Sequence, residues 1–286
     1  MVTVGIVAKL EHDGAQALAE RLADRLSGEG VDVVLDETTA TALGREGRPV
    51  PRMADRQLLV TLGGDGTLLF AVRESGGVPV IGVNFGEVGF VNALEPGDAL
   101  EVLPTLIEQI ETTGTVPGVD RTRVIARGEG WSLPPALNEV AILGRRAPGV
   151  DAAMSVTVDG EGLFEGVADG VIVATPTGSS AYSLAEGGPL VQPGTEVLLV
   201  VPMAPSVATA PVVVESSATV TVTVEDGSAV VAMADGRTRQ PLECPATVTV
   251  ERAEDPVRLA DPQPGLFEGL DALRKVESRD DRSDPR

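Results

Sequence analysis

Gln57-Leu58-Leu59-Val60-Thr61-Leu62 runs directly into Gly63-Gly64-Asp65-Gly66-Thr67, and the reading of the fold turns on this junction. A short aliphatic and β-branched run stopped by glycines reads as a buried strand emptying into a tight turn. Thr67-Leu68-Leu69-Phe70-Ala71-Val72-Arg73 then reads as a helix start. Strand, glycine turn and helix bring a backbone close to phosphates. Glycines reach positive φ at little cost, their amides can face an anion, and the helix adds its positive N-terminal end. Asp65 is the anomaly, because phosphates repel a carboxylate. It needs another task, either general base for an attacking hydroxyl or ligand of a Mg²⁺ that neutralises the charge. The plainer alternative is that Asp65 caps the helix or fixes the turn.

Length and charge narrow the classes. A chain of 286 residues exceeds what one ordinary core serves and predicts two domains. The net charge is -21, the only lysines are Lys9 and Lys275, and no basic patch stands out, which argues against a nucleic-acid partner. Acid-rich, lysine-poor usage suits a cytoplasm holding molar salt, where the Debye length falls to about 3 Å and self-repulsion is screened. Cys244 is the only cysteine, so the chain forms no internal disulfide and no cysteine metal cluster. The N-terminus reads as a strand rather than a signal peptide, and no apolar run approaches the roughly 18 residues of a membrane span. These features predict a soluble, cytoplasmic protein with no membrane partner.

Working outward, Val2 to Ala8 and Val31 to Leu35 read as strands around a helix from Asp13 to Gly28. Asp36 to Asp55 reads as loop or weak helix. A further strand, Val78 to Asn84, ends in a glycine-rich segment, and Glu95 to Thr113 reads as an amphipathic helix that Pro104 should kink or break. Alternating strands and helices over residues 1–115 predict a Rossmann-like parallel sheet with ligands beyond the carboxyl ends of its strands. From 116 to 261 the period changes to two: Met154 to Val158, Ala218 to Val224 and Ala246 to Val250 alternate, and Asp-Gly turns punctuate them. This predicts an antiparallel β-sandwich domain, so the fold class is α/β plus all-β. Residues 262–278 return to a helical pattern expected to pack back on the first domain, and Glu277 to Arg286 is charged and expected to be disordered.

Three further clusters carry chemistry. Asn138 and Glu139 open an apolar strand, where both can reach a diol; taken alone, a surface Asn-Glu pair explains them better. Asp169-Gly170-Val171-Ile172-Val173-Ala174-Thr175-Pro176-Thr177-Gly178-Ser179-Ser180-Ala181-Tyr182-Ser183 is a buried strand emptying into small hydroxyl residues and the only tyrosine. Small side chains admit a flat ring, and hydroxyls serve a base edge or ribose. Asp235-Gly236-Arg237 by itself is a turn with an exposed arginine. His12, the only histidine, is far from every motif in sequence and reads as a surface residue where a helix begins.

Taken together, Gly-Gly-Asp-Gly-Thr after a strand, Asn-Glu in mid-chain and the run from Asp169 to Gly187-Gly188-Pro189 resemble the NAD kinase family, as does Ile81 to Phe90. The resemblance spans Val2 to about Lys275. Its pentapeptide is shared with diacylglycerol-type lipid kinases and partly with phosphofructokinases; the acidic surface and the lack of a basic amphipathic helix speak against a lipid kinase. The resemblance implies transfer of a phosphoryl group from ATP, or from polyphosphate, to the 2′-hydroxyl of the adenosine ribose of NAD, with Mg²⁺ or another divalent metal, in a dimer or tetramer. Matched by position, Asp65 would be the proton acceptor, with Gly66 on the dinucleotide. Asn138 and Glu139 would hold the ribose and adenine region, Asp169 the nicotinamide side, and Ser180, Ala181, Tyr182 and Ser183 the adenine pocket. Arg237 would stand where the family often has glutamine. Ala185 lacks an expected hydroxyl, and Pro205 to Pro211 lacks a usual His and Arg. A lost hydrogen bond of about 1 kcal/mol retunes binding without abolishing it. The alternative is a diverged paralogue that binds NAD(P) without efficient turnover.

Overall fold

The computed structural model describes residues 1–86, 91–144, 152–226 and 230–261, and the chain divides into two compact units. Unit 1 runs from Met1 to Asp120 and resumes at Val257; unit 2 is Arg121–Pro256. The segment 262–278 lies outside the described residues, as do the charged tail and positions 87–90 of the glycine-rich segment.

In unit 1 the strands are β1 (Thr3–Ala8), β2 (Asp32–Asp36), β3 (Gly47–Arg48), β4 (Leu58–Gly63), β5 (Val80–Asn84) and β6 (Gly118–Arg121). The helices are α1 (Asp13–Gly28), α2 (Glu37–Ala42), α3 (Asp65–Glu74) and α4 (Ala99–Thr113). The sheet order is β3-β2-β1-β4-β5, followed by the returning strand Val257–Ala260 and β6. Every pairing from β3 to the returning strand is parallel.

Period two along β4 and β5 decides which helix covers which face. Leu58, Val60, Leu62, Ile81 and Val83 share a core with Leu22 and Leu26 of α1 and Leu103, Leu106 and Ile110 of α4. Gly82 points to the opposite face, where a Cβ would come 2.9 Å from Leu68 Cδ1 of α3. The stretch expected as loop holds α2, whose start Asp36 caps by accepting from the N–H groups of Thr38 and Thr39 at 3.0 and 3.3 Å. Pro104 does not break α4. It lies in the second turn and lacks one N–H, while Leu103, Leu106, Ile107 and Ile110 bury the helix's apolar stripe.

Unit 2 contains β7 (Val124–Gly128), β8 (Trp131–Ser132), β9 (Glu139–Leu143), β10 (Ala152–Val158), β11 (Glu161–Ala168) and β12 (Gly170–Ala174). Then come the short helix α5 (Tyr182–Ala185) and β13 (Val197–Met203), β14 (Val212–Glu215), β15 (Val220–Asp226), β16 (Val230–Ala234), β17 (Thr238–Leu242) and β18 (Ala246–Arg252). Two six-stranded sheets form, ordered β11-β10-β15-β18-β7-β8 and β14-β13-β12-β9-β16-β17. Alternate residues of both sheets, such as Val156, Val222 and Val248 from one and Val140, Val171 and Val200 from the other, fill a single core. The second sheet is covered on its other face too. Ala141, Ile172, Ala174, Leu199 and Val201 pack there with Tyr182 and Val191, so β12 is buried along its whole length. Among the described residues no helix is long and apolar enough to cross a membrane.

Candidate functional site

In unit 1, β4 ends at Gly63 and α3 begins at Asp65, two residues earlier than the helical pattern suggested. Gly64 is the cap and contributes no side chain, so Asp65 is the first helical residue rather than the capping group. None of Gly63, Gly64 and Gly66 has positive φ, and the glycines answer a need for space instead. A Cβ on Gly63 would fall 2.2 Å from Thr67 Oγ1, whereas nothing lies within 4 Å of the Cβ positions at Gly64 and Gly66. The backbone there is bare, at the carboxyl edge of a parallel sheet and at the N-terminus of a ten-residue helix. Lys9 lies at the same edge: its N–H bonds Leu62 O at 2.8 Å, and its Cβ would be 3.2 Å from a Cβ on Gly63.

The carboxylate of Asp65 is held by Asn92, whose Nδ2 donates to Oδ1 at 2.6 Å. Asn92 is not legible in the sequence, since an isolated Asn beyond a glycine-rich segment carries no pattern. His12 begins α1 as expected, its Nδ1 accepting from Ala15 N–H at 3.2 Å. Its ring also packs edge-on against Phe85 just beyond β5, with centroids 5.0 Å apart. Sequence distance had concealed that neighbourhood.

In unit 2 the mid-chain pair and the hydroxyl run come together. Asn138 precedes β9 and Glu139 is its first residue, while Thr175 to Ser180 leave the neighbouring end of β12. Thr175 N–H donates to Asn138 O at 2.8 Å, and its Oγ1 donates to Leu137 O at 2.6 Å. Gly178 N–H donates to Thr175 Oγ1 at 3.1 Å, and a Cβ at Gly178 would fall 2.1 Å from Asn138 O. Ser180 ends a 3₁₀ turn, Ala181 is the hinge to α5, and Tyr182 and Ser183 open that helix.

Asp235 completes this arrangement, in a way that a turn motif does not reveal. It adopts φ 45° at the β16–β17 hairpin, and its carboxylate accepts from the N–H groups of Leu137, Asn138 and Glu139 at 2.9, 2.7 and 3.2 Å. Three amide donors on one carboxylate pin the mouth of β9. Arg123, buried with Nε and Nη2 donating to Asp255 O at 3.0 and 2.8 Å, offsets the negative charge of Asp235. Arg237, the residue that the sequence reading selected from this turn, is exposed.

Asp169 lies elsewhere in the unit. It precedes β12, while Glu139 pairs with Ala174 at the strand's other end, five residues on and roughly 17 Å away at the usual rise per residue. Within one chain, therefore, Asp169 is not beside Asn138 and Glu139.

Three buried polar atoms near the β9 mouth have no hydrogen-bond partner: Glu139 Oε2, Thr177 Oγ1 and Ser183 Oγ, in residues 5%, 6% and 0% exposed. An orphaned buried group costs about 1–3 kcal/mol, a cost that a polar ligand reaching it would relieve. Burial pushes the Glu139 carboxyl up to about 8, with the nearby Asp235 adding to the rise and the Tyr182 backbone N–H opposing it. Around neutral pH Glu139 is mainly protonated and can both donate and accept.

Between pH 4.5 and about 8 the folded protein keeps a proton on Glu139 that the unfolded chain has released. Stability contributed by this group therefore declines as pH rises through that window and levels off above it, by a few kcal/mol. Glu139→Gln should flatten this decline, measured as the difference in urea midpoint between pH 5 and pH 8.5 in high salt. An unchanged slope in the variant would contradict the assignment.

Comparison with known proteins agrees with both units. The family described as the ATP-NAD kinase N-terminal domain matches residues 4–110, and the ATP-NAD kinase C-terminal domain matches 137–261. An NAD kinase of Haloarcula marismortui is 44% identical over 282 residues, covering 95% of this chain and 100% of that protein. One from Halorubrum lacusprofundi is 46% identical over 273 residues, covering 94% and 99%. Both come from halophilic archaea, in keeping with the acid-rich composition. Among solved structures, an NAD kinase from Archaeoglobus fulgidus in complex with ATP matches with a TM-score of 0.79 at 25% identity over 96% of this chain and 99% of that one. Yeast NADH kinase complexed with NADH shares the fold, with a TM-score of 0.84 at 24% identity over 100% and 89%.

Proposed function

The chain belongs to the NAD kinase family, and on that premise we propose that it transfers a phosphoryl group from ATP to the 2′-hydroxyl of the adenosine ribose of NAD, giving NADP. The observation that carries this reading is Asp65, oriented by a hydrogen bond and flanked by Gly64 and Gly66, whose surroundings are open. In the reaction its carboxylate takes the proton of the hydroxyl as the new P–O bond forms and ADP departs. The amides around Gly64 and Gly66 receive phosphate oxygens, Gly66 also lying against the dinucleotide.

Unit 2 supplies recognition. Asn138 and Glu139 bond sugar hydroxyls and the base, and Ser180, Ala181, Tyr182 and Ser183 line the base pocket. The orphaned oxygens of Glu139 and Ser183 support this assignment. Arg237 offers a cation to the dinucleotide at the hairpin rim. Asp169 is assigned to the nicotinamide side by the family match alone.

Among the described residues no three His, Cys, Asp or Glu side chains converge to hold a metal. Mg²⁺ favours substrate phosphates with one or two carboxylates over an all-protein cage. Carried by the donor's phosphates, it would neutralise their charge. The protein is further proposed to be cytoplasmic and homo-oligomeric.

Purified protein given NAD, ATP and Mg²⁺ in multimolar salt should form NADP. Parallel reactions with NADH as acceptor and polyphosphate as donor establish its preferences. Tight NAD binding with no NADP formed under any combination would overturn the reading in favour of a binding protein.

A further inference from the structure

Asn92 has no part in the reaction as just described, yet its placement is unusual. Beyond residues 87–90 the chain returns along β5, with Ala93 N–H and Leu94 N–H both donating to Gly82 O, at 3.0 and 3.1 Å. This seats the Asn92 amide directly over Gly82, where a Cβ would come 2.1 Å from Oδ1 and 2.9 Å from Cγ. Any larger residue at position 82 would evict the amide. The seat does not satisfy Asn92 itself, since its Oδ1 is buried without a hydrogen-bond partner. What it gains is one bond, from Nδ2 to Asp65 Oδ1 at 2.6 Å.

An amide that leaves its own acceptor orphaned to reach one carboxylate is poor design for stability and reasonable design for orientation. The terminal torsion of aspartate is broad, so an unrestrained carboxylate samples many angles toward a substrate. A donor fixed to one oxygen narrows that freedom, as the third member of a nucleophile–base–orienter set does.

Resting on the assignment of Asp65 as proton acceptor, we propose that Asn92 is a positioning residue for the reaction, fixing the Asp65 carboxylate in the rotamer that meets the sugar hydroxyl. Asn92 acts through Asp65 and touches neither substrate.

The test compares Asn92→Ala, Asn92→Leu and Asp65→Asn in steady-state kinetics, with NADP affinity by calorimetry and melting temperature alongside. Asn92→Leu stays close to the size and shape of the side chain, lacks the donor and adds no charge beside Asp65, so a merely packing role would leave its kcat near wild type. The expected result is a fall in kcat of about 10–100-fold in both Asn92 variants. KM for NAD and ATP and the affinity for NADP should stay within about twofold of wild type. Loss of the donor should also move the acidic limb of the kcat/KM profile of Asn92→Ala to higher pH, because a bond to the charged form has been removed. Wild-type kcat in both Asn92 variants, alongside an inactive Asp65→Asn, overturns the role of Asn92 and leaves Asp65 standing. So does a kcat loss matched by equal losses in both KM values and in melting temperature. An active Asp65→Asn overturns the reading of Asp65 itself.

Discussion

Asp65→Asn should lower kcat by about 10²–10⁴-fold, the range a positioned general base contributes, while NAD and NADP still bind. Asparagine keeps the size of the side chain but cannot take a proton. The position allows a useful comparison, because Gly64 and not Asp65 is the cap of α3, so the loss of a first-turn carboxylate costs the helix only about 0.3–1 kcal/mol. A role confined to the turn predicts the opposite pattern, lost stability with kcat retained in whatever fraction stays folded. Rapid-quench measurement of the chemical step separates the two, since product release that limits kcat would mask part of the effect.

Gly178→Ala should raise KM for NAD by about 100-fold, the cost of displacing a binding group by about 1 Å. The Cβ would meet Asn138 O at 2.1 Å, C at 2.4 Å and Cα at 2.6 Å, all main chain. Side chains can rotate away from an intruding methyl, but a strand mouth held by Asp235 on one side and Thr175 on the other has nowhere to go. The loop from Thr175 to Ser180 must separate from Asn138 and Glu139, breaking the bonds that join them. Gly162→Ala is the matching control, because nothing lies within 4 Å of that Cβ position, and its kinetics should equal wild type. Equal KM values in the two glycine variants would mean that the contact between the loop and the β9 mouth does not shape the site.

Particular residues show how far the sequence could be read. The β4–α3 junction was legible because a short apolar run and three glycines leave few alternatives, and α1 falls on Asp13–Gly28 because its apolar residues keep helical spacing. Period two in Val220–Asp226 and Ala246–Arg252 likewise exposed the sandwich. The glycine turn was placed correctly but explained by the wrong property, since crowding by Thr67 and open ground, rather than positive φ, account for its glycines. Pro104 does not mark a break because a proline early in a helix removes only one bond, and the buried stripe outweighs it. Asn92 and the Asp235 carboxylate were missed for a common reason. Each acts on a residue far away in sequence, 27 positions for Asn92 and Asp65 and 97 for Asp235 and Asn138, and no local spacing encodes such a bond. Asp235 was visible as part of a turn, but a turn signal draws attention to the exposed arginine rather than to the carboxylate folded beneath it.

Proton removal by Asp65 from the 2′-hydroxyl of the adenosine ribose is the claim on which the other assignments depend. A crystal structure of the wild-type protein with NAD and a non-hydrolysable ATP analogue tests it most directly. The account predicts the 2′-oxygen within about 2.6–3.2 Å of a carboxylate oxygen of Asp65, or joined to it through one water. A complex with that hydroxyl turned away from the carboxylate, and a different side chain bonded to it, would contradict the account.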